Sequence, residues 1–142
     1  MAPFTIMIDP SPRRADVNVL DEGLNGHAIA QAGTAPPEPL ALFLYDEAER
    51  IVGGLHARIW DGVLDIGRLW VHEDFRGEGY GRRLLETAEA EGIARGCTLV
   101  VLNTFDYQAP GFYAKLGYEE YAVVDDWPRG HTNHLFRKKL SE

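Results

Sequence analysis

The sequence predicts a single α+β domain on a mixed β-sheet of about six to seven strands. Strand-like runs are grouped instead of alternating regularly with helices, which argues against a doubly wound sheet. An Asp61-Gly62 turn joins two such runs, and a glycine-rich turn at residues 77–81 leads from a strand into a helix. The length of 142 residues suits one domain with one core.

The first forty residues carry the weakest pattern. Residues 4–8 are apolar and predict a short strand. Residues 16–32 are weakly helical at best, because Gly23 and Gly26 interrupt them. Residues 34–39 contain three prolines and predict a loop. This part of the chain is therefore expected to hold one strand and little helix.

Three strands follow in close succession. Residues 40–45 form an apolar run, and an acidic cluster at 46–49 turns the chain into residues 51–60. Asp61-Gly62 is a strong hairpin signal, and residues 63–71 then return along the preceding strand. Together these runs predict an antiparallel meander.

The second half of the chain alternates between helices and strands. Residues 80–95 predict a helix, with leucines at 84 and 85 on one face and Arg95-Gly96 at its end. The later elements are a strand at 98–103, a short helix at 109–116, and strands at 118–124 and 134–140.

Composition limits the partners. With 14 basic and 22 acidic residues, the formal net charge is −8, which disfavours nucleic acid and favours cationic partners. The single cysteine, Cys97, cannot form an internal disulfide or a paired-cysteine metal site, and it suits a packed core position better than a nucleophile. No run approaches a membrane span, and residues 1–10 do not resemble a signal peptide. We expect a cytoplasmic protein without a membrane, nucleic-acid or metal partner.

The glycine turn has the chemistry of an anion site. Backbone N–H groups at the start of a helix carry partial positive charge, and glycines let a ligand approach them closely. Arg76 and Arg82 flank the turn and can add charge-assisted hydrogen bonds. The spacing G-x-G-x-G does not match the dinucleotide fingerprint, and no Lys-Ser or Lys-Thr follows as in a P-loop. A plain strand-to-helix turn is the alternative.

Two motifs in order resemble those of the GNAT N-acetyltransferase superfamily. "RGEGYG" at 76–81 is similar to the family's R/Q-x-x-G-x-G/A signature. "APGFYAKLGYE" at 109–119 is similar to its A-x-x-F-Y-x-K-x-G-F/Y segment. The resemblance implies acetyl transfer from acetyl-CoA to an amine. It also implies a sheet with one splayed strand pair and helices on both faces.

In that family the glycine turn binds the CoA pyrophosphate, and the pantetheine arm lies between the splayed strands. Backbone groups of Leu69 and Val71 would then face the arm and the thioester. The contacts to acetyl-CoA that the resemblance implies are Leu69, Val71, Arg76, Gly77, Glu78, Gly79, Tyr80, Gly81, Arg82, Asn103 and Ala109. Asn103 is included because Asp106 stands where many members have a pantetheine-contacting asparagine.

The resemblance also implies catalytic residues. Tyr113 matches the tyrosine that protonates the leaving sulfur, although a packed aromatic is the alternative. Asp65 lies eleven residues before Arg76, where some members carry a carboxylate base, and an outward polar strand position explains it equally well. Four other candidates for the base stay open, namely His72, Glu73, His131 and His134.

The acceptor is less defined. Trp127, Arg129 and His131 lie in a polar-aromatic loop before the last strand and are candidate substrate contacts. We favour a small cationic amine as acceptor. A protein lysine or N-terminal amine, a CoA-binding sensor without turnover, and a purely structural domain are the alternatives. Because the last strand is expected at a sheet edge and many family members dimerise, a homodimer is also expected.

Overall fold

The computed structural model describes residues 3–140. These residues fall into two units, one up to Pro36 and one from Pro37 onward. The first unit contains helix α1, Arg14–Ala32. The helix ends at Gly33, whose φ of 67° is left-handed and whose N–H donates to the carbonyl of Ile29. None of the helices within the described residues combines the length and apolar content that crossing a membrane requires.

Both expectations for this unit were wrong. Residues 16–32 lie within one continuous helix of 19 residues despite Gly23 and Gly26, each of which costs about 1 kcal/mol relative to alanine. Residues 4–8 form no strand. A strand needs a hydrogen-bonded neighbour, and residues 3–36 contain no other strand to supply one.

The second unit is a six-stranded sheet in the order β1-β2-β3-β4-β6-β5. Only β3 and β4 are parallel, so the sheet is mixed as predicted. Its elements are β1 (Glu38–Tyr45), β2 (Ile51–Trp60), β3 (Val63–Val71), helix α2 (Tyr80–Ala94), β4 (Leu99–Phe105), helix α3 (Pro110–Lys115), β5 (Glu119–Asp125) and β6 (Thr132–Lys139).

Strands β1 to β3 form the predicted antiparallel meander. Asp61 and Gly62 have φ values of 44° and 91°, the left-handed pair that a two-residue type I′ turn requires. The turn places Trp60 opposite Val63, and this register continues to Ala57 opposite Ile66. A bulge then shifts the pairing by one residue, so that His56 lies opposite Arg68.

Strands β3 and β4 part after four residues. The parallel pairing runs from Val63 opposite Leu99 to Ile66 opposite Leu102. Beyond these residues β3 continues to Val71 and β4 to Phe105 without pairing to each other. The predicted splayed pair is therefore present, and it opens a gap in the middle of the sheet.

The core lies on one face of the sheet. Leu64 and Val100 from the parallel pair are fully buried there, and Leu85 of α2 and Tyr113 of α3 belong to the same apolar cluster. Within this unit, α2 and α3 thus cover the same face. The core fixes the position of α3, which follows the splayed end of β4.

The last strand does not lie at a sheet edge, and that prediction was wrong. Strand β6 pairs with β4 on one side and with β5 on the other, so the edges are β1 and β5. The chain reaches this order because β5 forms the outer strand and β6 then returns between β5 and β4.

A buried polar cluster joins α2 and the end of α3 to β6. The hydroxyl of Tyr118 donates to one carboxylate oxygen of Glu89. The ammonium of Lys138 donates to the other oxygen at 3.1 Å and to the carbonyl of Leu116 at 2.9 Å. Every member has a partner, as groups withdrawn from water require.

Candidate active site

A cleft of about 690 Å³ opens where β3 and β4 part. Both strands and the first residues of α3 contribute to its walls. Its lining residues are Gly67, Arg68, Leu69, Trp70, Val71, Arg76, Gly81, Asn103, Thr104, Phe105, Tyr107, Gln108, Ala109, Phe112 and Tyr113. The two sequence motifs therefore meet at one cleft.

The glycine turn lies at one end of this cleft. Gly77 and Gly79 have φ values of 81° and 86°, which side chains with a Cβ rarely adopt. Gly79 is the N-cap of α2, and as glycine it has no side chain to occupy the N–H groups of the first helical turn. Gly81 faces the ring of Phe112, since a Cβ built on it would lie 3.5 Å away from that ring. The turn thus presents unoccupied donors beside the cleft, which suits an anion.

The two arginines of the turn differ in their placement. Arg76 lines the cleft, and its Nε donates to the carbonyl of Val71 at 2.8 Å, which fixes the side chain against the end of β3. Arg82 instead pairs with Glu86 one helical turn later, and this hydrogen bond raises the pKa of Arg82. The expected contribution of Arg82 to the anion site is therefore not supported by its position.

Tyr113 lies at the cleft with its ring packed in the core. The side chain is 9% exposed and contacts Phe112, Tyr118 and Phe136. Burial raises the pKa of Tyr113 to about 12. No hydrogen bond joins its hydroxyl to another group within residues 3–140, so the neutral phenol is available to donate to a ligand in the cleft.

This pKa predicts a loss of stability in alkali. An unfolded tyrosine loses its proton near pH 10 and folded Tyr113 only near pH 12, so between these values the unfolded state binds fewer protons. The free energy of unfolding should therefore fall as pH rises from 10 to 12. A difference of two pKa units corresponds to a loss of about 2.7 kcal/mol in the free energy of unfolding. Denaturant titrations at several pH values measure this loss. The free energy of unfolding of Tyr113→Phe should fall less steeply with pH than that of the wild-type protein, and an equally steep fall would contradict the prediction.

The structure does not bring Asp65 to the cleft. Asp65 lies opposite Val101, in the part of β3 that is still paired with β4. Its carboxylate pairs with the guanidinium of Arg58 across the β2–β3 hairpin at 3.1 Å. An ion-paired carboxylate outside the cleft is poorly placed to remove a proton from an acceptor. This geometry therefore gives no support to the expected role of Asp65 as the base, which stays a prediction.

Two of the other candidate bases, His72 and His134, have separate structural partners. The ring of His72 accepts from the N–H of Asp74 at 3.1 Å and caps the short 3₁₀ turn that includes Glu73. His134 and Glu120 pair across β5 and β6 at 3.1 Å. None of these side chains is part of the cleft lining.

Asn103 and Asp106 differ in their position relative to the cleft. Asn103 lines the cleft, and its Nδ2 donates to Oδ1 of fully buried Asn133 at 3.1 Å. Asp106 is absent from the lining, and its Oδ1 lies 3.1 Å from Nδ1 of His131. Of the two residues, Asn103 is thus the one in the cleft wall, and its contact with the co-substrate stays a prediction.

The expected residues fall into two groups. Leu69, Val71, Arg76, Gly81, Asn103, Ala109 and Tyr113 line the cleft. Those that do not line it are Asp65, Gly77, Glu78, Gly79, Tyr80, Arg82, Trp127, Arg129 and His131. Within the second group, Gly77 to Tyr80 form the turn next to the cleft, and the last three belong to the loop between β5 and β6.

Several cleft residues were missed by the sequence reading. Trp70 is half exposed at the end of β3, while Phe105 and Tyr107 stack with ring centroids 5.5 Å apart at the end of β4. Gln108 accepts from Thr104 Oγ1 at 2.9 Å and from the N–H of Phe105 at 3.0 Å, which holds the strand end in place. Aromatic residues at both splayed strand ends were the available signal.

The chain was compared with known proteins. A family model described as "Acetyltransferase (GNAT) domain" matches residues 38–120. Blasticidin-S acetyltransferase of Streptomyces morookaense is 39% identical over 106 residues, which cover 74% of this chain and 78% of that protein. A crystal structure of an acetyltransferase from Bacillus cereus ATCC 14579 is 33% identical with a TM-score of 0.79, covering 94% of this chain and 97% of that one.

A more distant solved structure shares the fold. It is an aminoglycoside 6′-N-acetyltransferase complexed with coenzyme A, 19% identical, with a TM-score of 0.66. The match covers 93% of this chain and 97% of that one.

Proposed function

Because the chain belongs to the GNAT acetyltransferases, we propose that it transfers the acetyl group of acetyl-CoA to a primary amine of a small cationic molecule. The observation that carries this is the cleft between the splayed strands, which has the glycine turn at one end and Tyr113 in its wall. The reaction joins the acceptor nitrogen to the acetyl carbon, breaks the carbon–sulfur bond and releases CoA and a proton.

The residues of the cleft suit the co-substrate. An extended arm with amide groups can hydrogen-bond to backbone groups of Leu69 and Val71, because this part of β3 has no pairing to β4. A pyrophosphate matches the donors at the start of α2 and the guanidinium of Arg76. The neutral phenol of Tyr113 can donate a proton to a leaving sulfur.

Three observations support a cationic acceptor. The formal net charge of −8 favours a positively charged partner. In addition, a relative at 39% identity is named for the small molecule blasticidin S. Half-exposed Trp70 and Tyr107 offer aromatic faces at the cleft on which a cation can rest.

An acceptor panel tests this proposal. Purified protein with acetyl-CoA is offered blasticidin S, nourseothricin, an aminoglycoside, spermidine and a peptide with a lysine and a free N-terminus, and products are identified by mass spectrometry. Acetylation of one of the four small cations supports the proposal. Acetylation of the peptide alone would favour a protein acetyltransferase, and CoA binding without any product would favour a sensor.

Binding of CoA should depend on Gly79. A ligand at 100 times its dissociation constant that binds only the folded state stabilises it by about 2.7 kcal/mol. Gly79→Val should abolish this gain, because valine strongly disfavours a φ of 86° and the turn must rearrange. Thermal unfolding with and without CoA measures the effect.

Gly96 provides a matched control for this prediction. It also has a φ of 86° and open space at its Cβ position, but it lies just beyond the opposite end of α2. The Gly96→Val protein should lose about as much stability as Gly79→Val, but CoA should still raise its melting temperature. Equal CoA shifts in the Gly79→Val and Gly96→Val proteins would refute the assignment of the turn.

We further propose that the enzyme acts in the cytoplasm as a single domain. The homodimer stays a prediction. One reason given for it, a last strand at the sheet edge, does not hold because β6 is an interior strand. If a dimer forms by strand pairing, the edges β1 and β5 are the strands to consider.

A further inference from the structure

We propose that His131, oriented by Asp106, accepts the proton that the acceptor ammonium must lose before its nitrogen can attack. The inference rests on the proposed function and adds a catalytic residue and a positioning residue to it. It also gives Asp106 a role different from the pantetheine contact that its place in the sequence suggests.

The two side chains form a defined pair. Nδ1 of His131 lies 3.1 Å from Oδ1 of Asp106, so the carboxylate favours the tautomer with a proton on Nδ1. Nε2 is then the nitrogen with a free lone pair. The imidazole is 47% exposed, which leaves this nitrogen accessible to a ligand.

The pair stands at the rim of the cleft. Asp106 directly follows β4 and lies between Phe105 and Tyr107, both of which line the cleft. Tyr107 is part of the cleft wall, and its ring meets the imidazole edge to face with the ring centroids 5.0 Å apart. His131 therefore lies directly behind one residue of the wall. The proposal places the acceptor amine at the Tyr107 side of the cleft, next to this imidazole.

Backbone hydrogen bonds hold the histidine in place. The N–H of His131 donates to the carbonyl of Pro128 at 2.9 Å, and its own carbonyl accepts from Trp127. On the other side, the N–H of Asp106 donates to the carbonyl of Thr132 at 3.0 Å. Both partners of the pair are thus tied to the same end of the sheet, which limits the reorganisation a proton transfer requires.

The proton transfer balances without a further reactant. One N–H bond of the ammonium breaks, its electron pair stays on the nitrogen, and the proton forms a bond to Nε2 of neutral His131. The imidazolium is stabilised by the carboxylate of Asp106 and later returns its proton to solvent. The surrounding titratable and charged groups are Asp106, Tyr107 at the ring edge, and Asp126 and Arg129 of the same loop.

The other histidine–carboxylate pair does not meet these conditions. His134 and Glu120 have the same separation of 3.1 Å, but His134 lies within β6 and its side chain is only 20% exposed. None of the aromatic contacts of the cleft residues involves its ring. This makes His134→Gln a matched control for His131→Gln.

The first test is kinetic and uses the small cation that the wild-type protein acetylates best. His131→Gln should lower kcat/KM for this acceptor about 100-fold at pH 7, within the range of general-base effects. Its rate should then rise with pH, because free amine in solution replaces the base. The affinity for acetyl-CoA and the melting temperature should stay at the wild-type values, and His134→Gln should behave like the wild-type protein.

The second test does not depend on turnover. Nitrogen-15 spectra of the imidazole should show the Nδ1–H tautomer of His131 in the wild-type protein and a mixture of tautomers in Asp106→Asn. The same variant should lower kcat/KM for the acceptor without changing the affinity for CoA. An unchanged tautomer in Asp106→Asn would overturn the positioning role.

The outcomes separate the two proposals. If the wild-type protein acetylates none of the cations, the proposed function fails and the role of His131 fails with it. If the wild-type protein acetylates a cation and His131→Gln does so at the same rate at pH 7, only the inference is overturned. A loss of acetyl-CoA affinity in His131→Gln would likewise overturn it, since the residue would then contact the co-substrate.

Discussion

Replacement of Tyr113 by phenylalanine should lower the rate of acetyl transfer by about 10²- to 10⁴-fold, the usual range for loss of a general acid. The ring is packed against Phe112, Tyr118 and Phe136, and phenylalanine preserves these contacts. The hydroxyl has no hydrogen bond within residues 3–140, so its removal leaves no buried partner unsatisfied. CoA affinity and the melting temperature at neutral pH should hardly change.

Single-turnover kinetics are the appropriate measurement, because slow product release would mask a change in the chemical step. Tyr121→Phe is a suitable control, since Tyr121 lies half exposed on the edge strand β5 and is absent from the cleft lining. A Tyr113→Phe protein that transfers acetyl at the wild-type rate would show that another group or water supplies the proton.

Replacement of Lys138 by methionine should destabilise the fold by about 2–3 kcal/mol. Removing one partner of a fully buried ion pair costs about 3–5 kcal/mol, and the 27% exposure of Lys138 places this case below that range. The change leaves Glu89, whose side chain is 11% exposed, with the Tyr118 hydroxyl as its remaining partner. It also removes the donor to the carbonyl of Leu116. Chemical denaturation measures the difference.

Two further variants define the cause of this loss. Lys139→Met removes the same charge from the exposed neighbouring position and should change the free energy of unfolding by less than about 0.5 kcal/mol. Adding Glu89→Gln to Lys138→Met should recover part of the stability, because the unpaired charge is removed. A double variant that is less stable than Lys138→Met would contradict this account.

Much of the fold could be predicted from local signals. The two-residue turn at Asp61-Gly62 identified the hairpin, and its length fixes the register as far as Ala57 opposite Ile66. Counting outward from Trp60 opposite Val63 places Arg58 opposite Asp65, so the ion pair between them could be predicted from the sequence. The spacing of Asp65 from Arg76 shows neither this ion pair nor the position of Asp65 outside the cleft.

Other features depend on contacts that the sequence does not display. The strand predicted at residues 4–8 failed because a short, mostly apolar run cannot show whether a neighbouring strand exists. The interior position of β6 depends on which pairing the last strand makes after β5. In the site, Asp106 and His131 are 25 residues apart and meet only because the ends of β4 and β6 are adjacent. Helix α1 is different, since Gly33 after Ala32 was a readable stop signal.

Cys97 has a practical consequence for measuring this enzyme. It is the only cysteine of the chain, its side chain is 3% exposed, and burial raises the pKa of its thiol. A chromogenic disulfide reagent should therefore react slowly with the folded protein, because thiolate is the reactive form. In an assay, the absorbance of the reagent would then measure the released CoA, with little contribution from Cys97. In denaturant the same reagent should titrate one thiol per chain, which makes Cys97 an internal probe of unfolding.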